Sequence, residues 1–228
     1  MSKLAVVLLS GGMDSAVCAG IAISEGYDIA VLHLNYGQKT QSKELQSFNS
    51  LADYFRAKHR LIVDVSHFSK IGGSSLTDSS IEVEKADLDR EGIPSSYVPF
   101  RNGNILAIAS SWAEVIGAEA IFIGAMQLDS SGYPDCREEF FTAMETAINL
   151  GTKPETKLKI ITPIINYSKK DIVLKGNDLK VPFELTWSCY SEDESACGQC
   201  DSCALRLRGF QSAGIVDPIH YKTQPFYV

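Results

Sequence analysis

Five short apolar runs punctuate the chain, at residues 4–9, 29–34, 61–65, 120–124 and 159–162, each rich in Val, Ile or Leu. Between them apolar residues recur at helical spacing. Leu45, Phe48, Leu51, Ala52 and Phe55 form one such stripe, Ile105, Ile108, Ala109, Trp112 and Ile116 a second, and Phe140, Met144 and Ile148 a third. Unbroken apolar strands alternating with amphipathic helices predict an α/β domain, with a doubly wound, mainly parallel sheet covered on both faces. The aromatic and Met positions on those helices read as core. Between the third and fourth runs lies a polar insertion, residues 71–78 followed by the charged stretch 82–91. It is expected above the carboxyl edge of the sheet, where long connections often act as lids, although a solvated loop suits the charged half equally well. Farther on, Ser168-Lys169-Lys170-Asp171 reads as a capping box opening a short helix that ends near Gly176. From Val181 the pattern changes to a compact cysteine-bearing segment. The expected organisation is a domain over 1–180 with a small segment, 181–228, packed on it.

Composition narrows the partners. With 228 residues, 45% of them hydrophobic, the chain can bury a substantial core. A formal charge of −7 and a pI near 5.1 oppose a nonspecific grip on nucleic acid and favour small-molecule ligands. No apolar run approaches the roughly 20 residues of a membrane span, and residues 1–4 lead into no export signal, so no membrane and a cytoplasmic setting are expected. In that reducing setting the six cysteines, Cys18, Cys136, Cys189, Cys197, Cys200 and Cys203, would be thiols or metal ligands rather than disulfides.

The first apolar run ends in Ser10-Gly11-Gly12-Met13-Asp14-Ser15, and a helix pattern begins near Ala16. A strand, a glycine turn and a helix amino terminus together make an anion site, because the turn approaches a ligand closely and the helix offers unpaired N–H groups. The plainer reading is a βα turn capped by Asp14 or Ser15. Asp14 would repel a bare phosphate, a conflict that bound Mg2+ resolves. Neither G-x-x-x-x-G-K-[ST] nor G-x-G-x-x-G occurs. Near the other end, Cys189, Cys197, Cys200 and Cys203 are spaced C-x7-C-x2-C-x2-C with Gly198 at the knuckle. Four thiolates suit a closed, structural Zn2+ site, an iron–sulfur cluster being the main alternative. Asp201 after Cys200 rules out a haem-attachment motif.

Ser10-Gly11-Gly12-Met13-Asp14-Ser15 resembles the pyrophosphate loop (PP-loop) of the ATP-pyrophosphatase superfamily, whose fold is Rossmann-like, of the adenine nucleotide α-hydrolase type. The likeness extends through His33-Leu34-Asn35-Tyr36-Gly37-Gln38, Gly72-Gly73-Ser74-Ser75-Leu76-Thr77, Val98-Pro99-Phe100-Arg101-Asn102, Ser131-Gly132-Tyr133-Pro134-Asp135-Cys136-Arg137, and the run from Val181 to Tyr190 with its cysteines. On these residues the chain resembles the 7-cyano-7-deazaguanine synthase family of queuosine biosynthesis over nearly its whole length.

That resemblance implies conversion of 7-carboxy-7-deazaguanine, ammonia and ATP to the nitrile, through an activated carboxylate and an amide. It implies ATP contacts along Leu8, Leu9, Ser10, Gly11, Gly12, Met13, Asp14, Ser15, Ala16, Val17 and Cys18, the last reading as core-facing. Asp14, Ser15 and Arg101 would be catalytic, with Asp14 acting through Mg2+, and Asp129, Asp135 and Arg137 would contact the substrate. The four cysteines would hold one Zn2+. Arg101 stands just before a helix expected near Asn102, and binds phosphate or the substrate carboxylate, or else caps a local turn. His33 reads as a satisfied strand histidine and Cys136 as a packed thiol. A homodimer is left open. Rival readings are a tRNA thiolase, which needs a catalytic cysteine and a basic RNA surface, a glutamine-fed amide ligase, which needs a glutaminase for which the chain has no room, and a noncatalytic zinc-stabilised nucleotide sensor.

Overall fold

The structure is a computed structural model that describes residues 3–78, 80–88, 92–127 and 132–228. Its strands are β1 (Lys3–Leu8), β2 (Tyr27–Asn35), β3 (His59–Asp64), β4 (Ala120–Phe122) and β5 (Lys159–Ile161). Its helices are α1 (Met13–Ser24), α2 (Gln41–Tyr54), α3 (His67–Ile71), α4 (Arg101–Ile116), α5 (Glu138–Gly151), α6 (Lys169–Asp178) and α7 (Asp201–Ala213). The strands form one parallel sheet in the order β3-β2-β1-β4-β5. Chain order reverses direction at β1, so the crevice beyond the carboxyl ends of β1 and β4 is the expected ligand site of a doubly wound sheet.

Strand alternation sorts the core into two layers. Ala5 and Val7 of β1, with Leu9 beyond it, join Ile29, Val31, Ala120 and Phe122 on one face, packed by Phe48 and Leu51 of α2, Ile172 and Val173 of α6, Phe210 of α7 and most of α1. Val6 and Leu8 look the other way with Ala30, Leu32 and Ile121, against Leu106 and Ala109 of α4 and Phe141 and Ile148 of α5. The three helical stripes read from sequence therefore fall on α2, α4 and α5.

Boundaries moved where tertiary contacts outweigh local preference. Helix α1 begins at Met13, not near Ala16, because Gly12 already serves as its N-cap. Helix α6 opens with the expected capping box, Ser168 Oγ accepting from Asp171 N at 3.2 Å while Asp171 Oδ2 accepts from Ser168 N at 2.9 Å. It continues past Gly176 to Asp178. Gly176 is an interior contact point: a Cβ there would stand 2.3 Å from the Phe183 ring.

The polar insertion is pinned down. Ser74, Ser75 and Leu76 are buried, and Ser75 N donates to Ser95 O. The described part of the charged half lies along the cysteine segment, with Lys85 bridged to Cys200 and Ala86 N donating to Gln199 O at 2.8 Å. No described helix is long and apolar enough to cross a membrane.

Candidate functional site

The loop between β1 and α1 is closed by its own serines. Ser15 Oγ donates to Gly12 O at 3.0 Å and accepts from Ser10 N at 3.2 Å, and Gly12 N donates to Ser10 Oγ at 3.2 Å. Gly11 has φ +95°, and a Cβ there would lie 2.7 Å from Glu44 O, so the residue must be glycine for α2 to approach. No side chain caps α1, so neither Asp14 nor Ser15 spends itself on the role the plainer reading gave it. The first-turn N–H groups of α1 are thereby left to a ligand.

Above this loop is a cavity of about 260 Å³. Leu8, Ser10, Gly12, Met13, Asp14 and Ser15 line it from the loop, and Arg101 lines it from α4. Leu9, Gly11, Ala16, Val17 and Cys18 do not. Strand alternation and the helical turn direct Leu9, Ala16, Val17 and Cys18 into the core, where each is fully buried.

Lys169, read from sequence only as the second residue of a capping box, is the main addition. Its ammonium lies 2.7 Å from Asp14 Oδ2, with the Lys169 side chain largely buried and that of Asp14 partly exposed. The other carboxylate oxygen, Asp14 Oδ1, is buried and has no hydrogen-bond partner among the described residues. An orphaned carboxylate oxygen at the mouth of an anion cradle fits a divalent cation shared with phosphate oxygens.

Arg101 is the first residue of α4, and Phe100 before it takes a left-handed conformation, φ 54°, uncommon for an aromatic residue. That turn brings the guanidinium over the Tyr36 ring, 5.6 Å from its centroid, with Nη1 3.4 Å from the phenol oxygen. No described carboxylate lies within ion-pair distance of it. A guanidinium that faces a cavity with no described carboxylate in ion-pair contact fits an anionic ligand.

The substrate candidates after β4 are placed differently. Asp135 Oδ2 accepts from Asn102 N at 2.9 Å, which makes it a cap for α4, and it does not line the cavity. Arg137 is exposed as the N-cap residue of α5 and does not line it either. Asp129 lies outside the described residues. The topology of that loop was readable from sequence, whereas its side-chain directions were not. His33 lines the cavity with Nδ1 3.3 Å from Leu9 O, but its buried Nε2 has no described partner, so it is only half satisfied. Cys136 is packed, and burial pushes its thiol up to about 11, far from a ready nucleophile.

The four cysteines do converge. The Sγ atoms of Cys189, Cys197, Cys200 and Cys203 all lie within 4.8 Å of one another, with Cys197 and Cys203 at 3.9 Å. Tetrahedral zinc with Zn–S bonds of about 2.3 Å needs sulfurs ~3.8 Å apart, so the set fits a single tetrahedral ion. Backbone N–H groups of Cys197 and Ser191 point at Cys189 Sγ, and those of Gln199 and Cys200 at Cys197 Sγ, the arrangement that stabilises thiolates. The cluster is tied to the loop by Trp187 N, which donates to Gly11 O at 2.8 Å, and Thr40 Oγ1 at the start of α2 lies 3.2 Å from Cys189 O while its proton goes to the nearer Glu44 Oε1.

Sequence reading also missed Arg206 and Asp217, each 1% exposed at the side chain, joined by Nε–Oδ2 and Nη2–Oδ1 contacts of 2.7 and 2.8 Å. Arg206 donates further to Thr186 Oγ1 and Phe183 O, and Tyr221 to Asp217. An arginine on an otherwise amphipathic helix is unremarkable in sequence, so nothing local announced this pair.

Comparison with known proteins agrees with the site. Residues 4–214 match the model of the family described as queuosine biosynthesis protein QueC. A 7-cyano-7-deazaguanine synthase of Chloroherpeton thalassium is 57% identical over 98% of this chain and 99% of its own length. One from Chlorobium phaeobacteroides is 56% identical over the same shares. Among solved structures, a 4-thiouridine synthetase–RNA complex with bound ATP superposes with a TM-score of 0.54 at 20% identity, covering 99% of this chain and 48% of that one, which establishes a common fold. The chain belongs to the QueC family, whose curated relatives at this level of identity are 7-cyano-7-deazaguanine synthases.

Proposed function

We propose that this enzyme converts 7-carboxy-7-deazaguanine and ammonia to the 7-cyano product at the expense of ATP. The observation that carries the reading is one cavity that joins an uncapped helix amino terminus, the Asp14–Lys169 pair and the Arg101 guanidinium. Ser10, Gly12, Ser15 and Lys169 hold the departing phosphates. Asp14 Oδ1 would hold Mg2+, which would supply charge neutralisation on those phosphates. Arg101 holds the substrate carboxylate beside the α-phosphorus, and positioning with electrostatic stabilisation does most of the work.

The chemistry runs through two activations. The carboxylate oxygen attacks the α-phosphorus, releasing pyrophosphate and leaving an acyl-adenylate. Ammonia displaces AMP and loses a proton, giving the amide. A second ATP activates the amide oxygen in the same way, and its departure with AMP and a proton leaves the nitrile. The four cysteines would hold a structural Zn2+, which would fasten residues 187–190 beside the loop. Cys136 takes no part, which separates this reading from a thiolase. The test is incubation with ATP, Mg2+, ammonium and 7-carboxy-7-deazaguanine, read by mass spectrometry. Nitrile and AMP are the expected products, and ADP in place of AMP, or unchanged substrate with bound nucleotide, would overturn the mechanism or the enzyme reading respectively.

A further inference from the structure

One carboxylate in the cavity is unused by that chemistry. Glu44, in the first turn of α2, lines the cavity together with Tyr36, Arg101, Ser188 and Tyr190. Its Oε1 accepts from Thr40 Oγ1 at 3.0 Å and its Oε2 from Gln38 Nε2 at 3.1 Å. Gln38 is itself fixed, since its Oε1 accepts from Tyr36 N at 2.9 Å. Both carboxylate oxygens are thus held in place, yet each has a second acceptor site to offer. No described lysine or arginine pairs with Glu44. Burial raises its carboxyl above the ordinary value. Arg101 across the cavity acts on Glu44 only through space, and no described lysine or arginine is within ion-pair distance, so an acid held by two neutral donors here is costly to the folded protein unless a ligand completes it.

The ligand chemistry that fits two adjacent, immobilised acceptors is two adjacent donors in one plane. A guanine-like ring presents that pair, its ring N–H and its exocyclic amine. Tyr36 and Tyr190 supply the aromatic surface beside it. Arg101 in the same cavity supplies the opposite charge for a carboxylate elsewhere on the ring system. We infer that Glu44 reads the guanine edge of the substrate, accepting the ring N–H and the exocyclic amine, and so sets specificity for a 2-amino-4-oxo heterocycle. This rests on the deazaguanine reading of the same cavity. The rival role for Glu44 is a general base for ammonium, which would act on any bound carboxylate regardless of the amine.

The experiment compares 7-carboxy-7-deazaguanine with its analogue lacking the exocyclic amine, in wild type and in Glu44→Gln, by kcat/KM. Wild type should prefer the amine-bearing substrate by about 10- to 100-fold, the range for a hydrogen bond to a charged group. Glutamine offers one acceptor and one donor, so E44Q should lose that preference or reverse it, mainly through KM, with ATP affinity unchanged. Equal losses on both substrates, or a shifted pH–rate profile with the preference intact, would overturn the assignment in favour of the base. Should E44Q fail to fold, the wild-type ratio still decides: equal use of both substrates overturns the proposal. Wild-type enzyme that turns over neither compound overturns the deazaguanine reading itself, and the role of Glu44 with it.

Discussion

The loop after β1 and the cysteine-bearing tail are both polar, and they treat their polar groups in opposite ways. Among the described residues, groups in the loop are left open: α1 has no side-chain cap, Asp14 Oδ1 has no hydrogen-bond partner, and Arg101 nearby has no carboxylate within ion-pair distance. In the tail, groups are closed: Arg206 and Asp217 satisfy each other bidentately, and the sulfurs of Cys189 and Cys197 collect backbone N–H groups. On the proposed function, the open groups take a ligand and carry the chemistry, whereas the closed ones hold the chain together. Substitutions in the tail should therefore cost stability, and those in the loop should cost turnover.

The largest effect is expected from the tail. Cys197→Ser, or metal removal by a chelator, should release metal and lower the melting temperature by more than about 10 °C, since structural zinc sites contribute on the order of 10 kcal/mol to folding. Metal analysis with thermal melting checks this, and full stability in the variant would break the contrast at its strongest point. Asp217→Ala leaves Arg206 buried without its partner and should destabilise by about 3–5 kcal/mol, measured by urea unfolding.

On the loop side, Asp14→Asn should lower kcat/KM by about 100- to 1,000-fold while the melting temperature holds within about 2 °C, because asparagine still accepts from Lys169. A large loss of stability there would mean that the Asp14–Lys169 pair is structural after all. Smaller is Ser168→Ala, which removes the cap of α6 at about 1 kcal/mol. Its cost should depend on pH. Hydrogen bonds from Ser168 hold the Asp171 carboxyl below its ordinary value. The stabilisation is therefore present above the unfolded carboxylate range and is lost as pH falls through the folded value, so the gap between variant and wild type should narrow in acid. Smallest of all, Cys136→Ala should leave turnover unchanged, and the native thiol, raised to about 11, should alkylate slowly near pH 8.

How much was legible varies with how local the cause is. The capping box at Ser168, the stripes of α2, α4 and α5, and the C-x7-C-x2-C-x2-C spacing depend on near neighbours in the chain, and each was readable. Asp135 illustrates the limit. It lies in the loop after β4, a region from which substrate contacts are expected, yet its carboxylate turns to the amino terminus of α4, because a buried N–H at Asn102 needs an acceptor. Lys169 is the converse, a routine lysine of a capping box that the crossing of α6 over α1 delivers to Asp14.

By itself the sequence determined the parallel α/β class, the glycine turn at Ser10 to Ser15 between β1 and α1, the four thiols fit for one metal ion and, through its motifs, the family. These follow from periodicity, glycine and cysteine spacing, which act over a few residues. Only the tertiary structure decided which loop residues face the cavity, that Lys169, Arg101 and Glu44 share it, and that Arg206 and Asp217 close the tail. Those pairings join side chains far apart in the chain, and their energetics depend on burial, which no local pattern encodes.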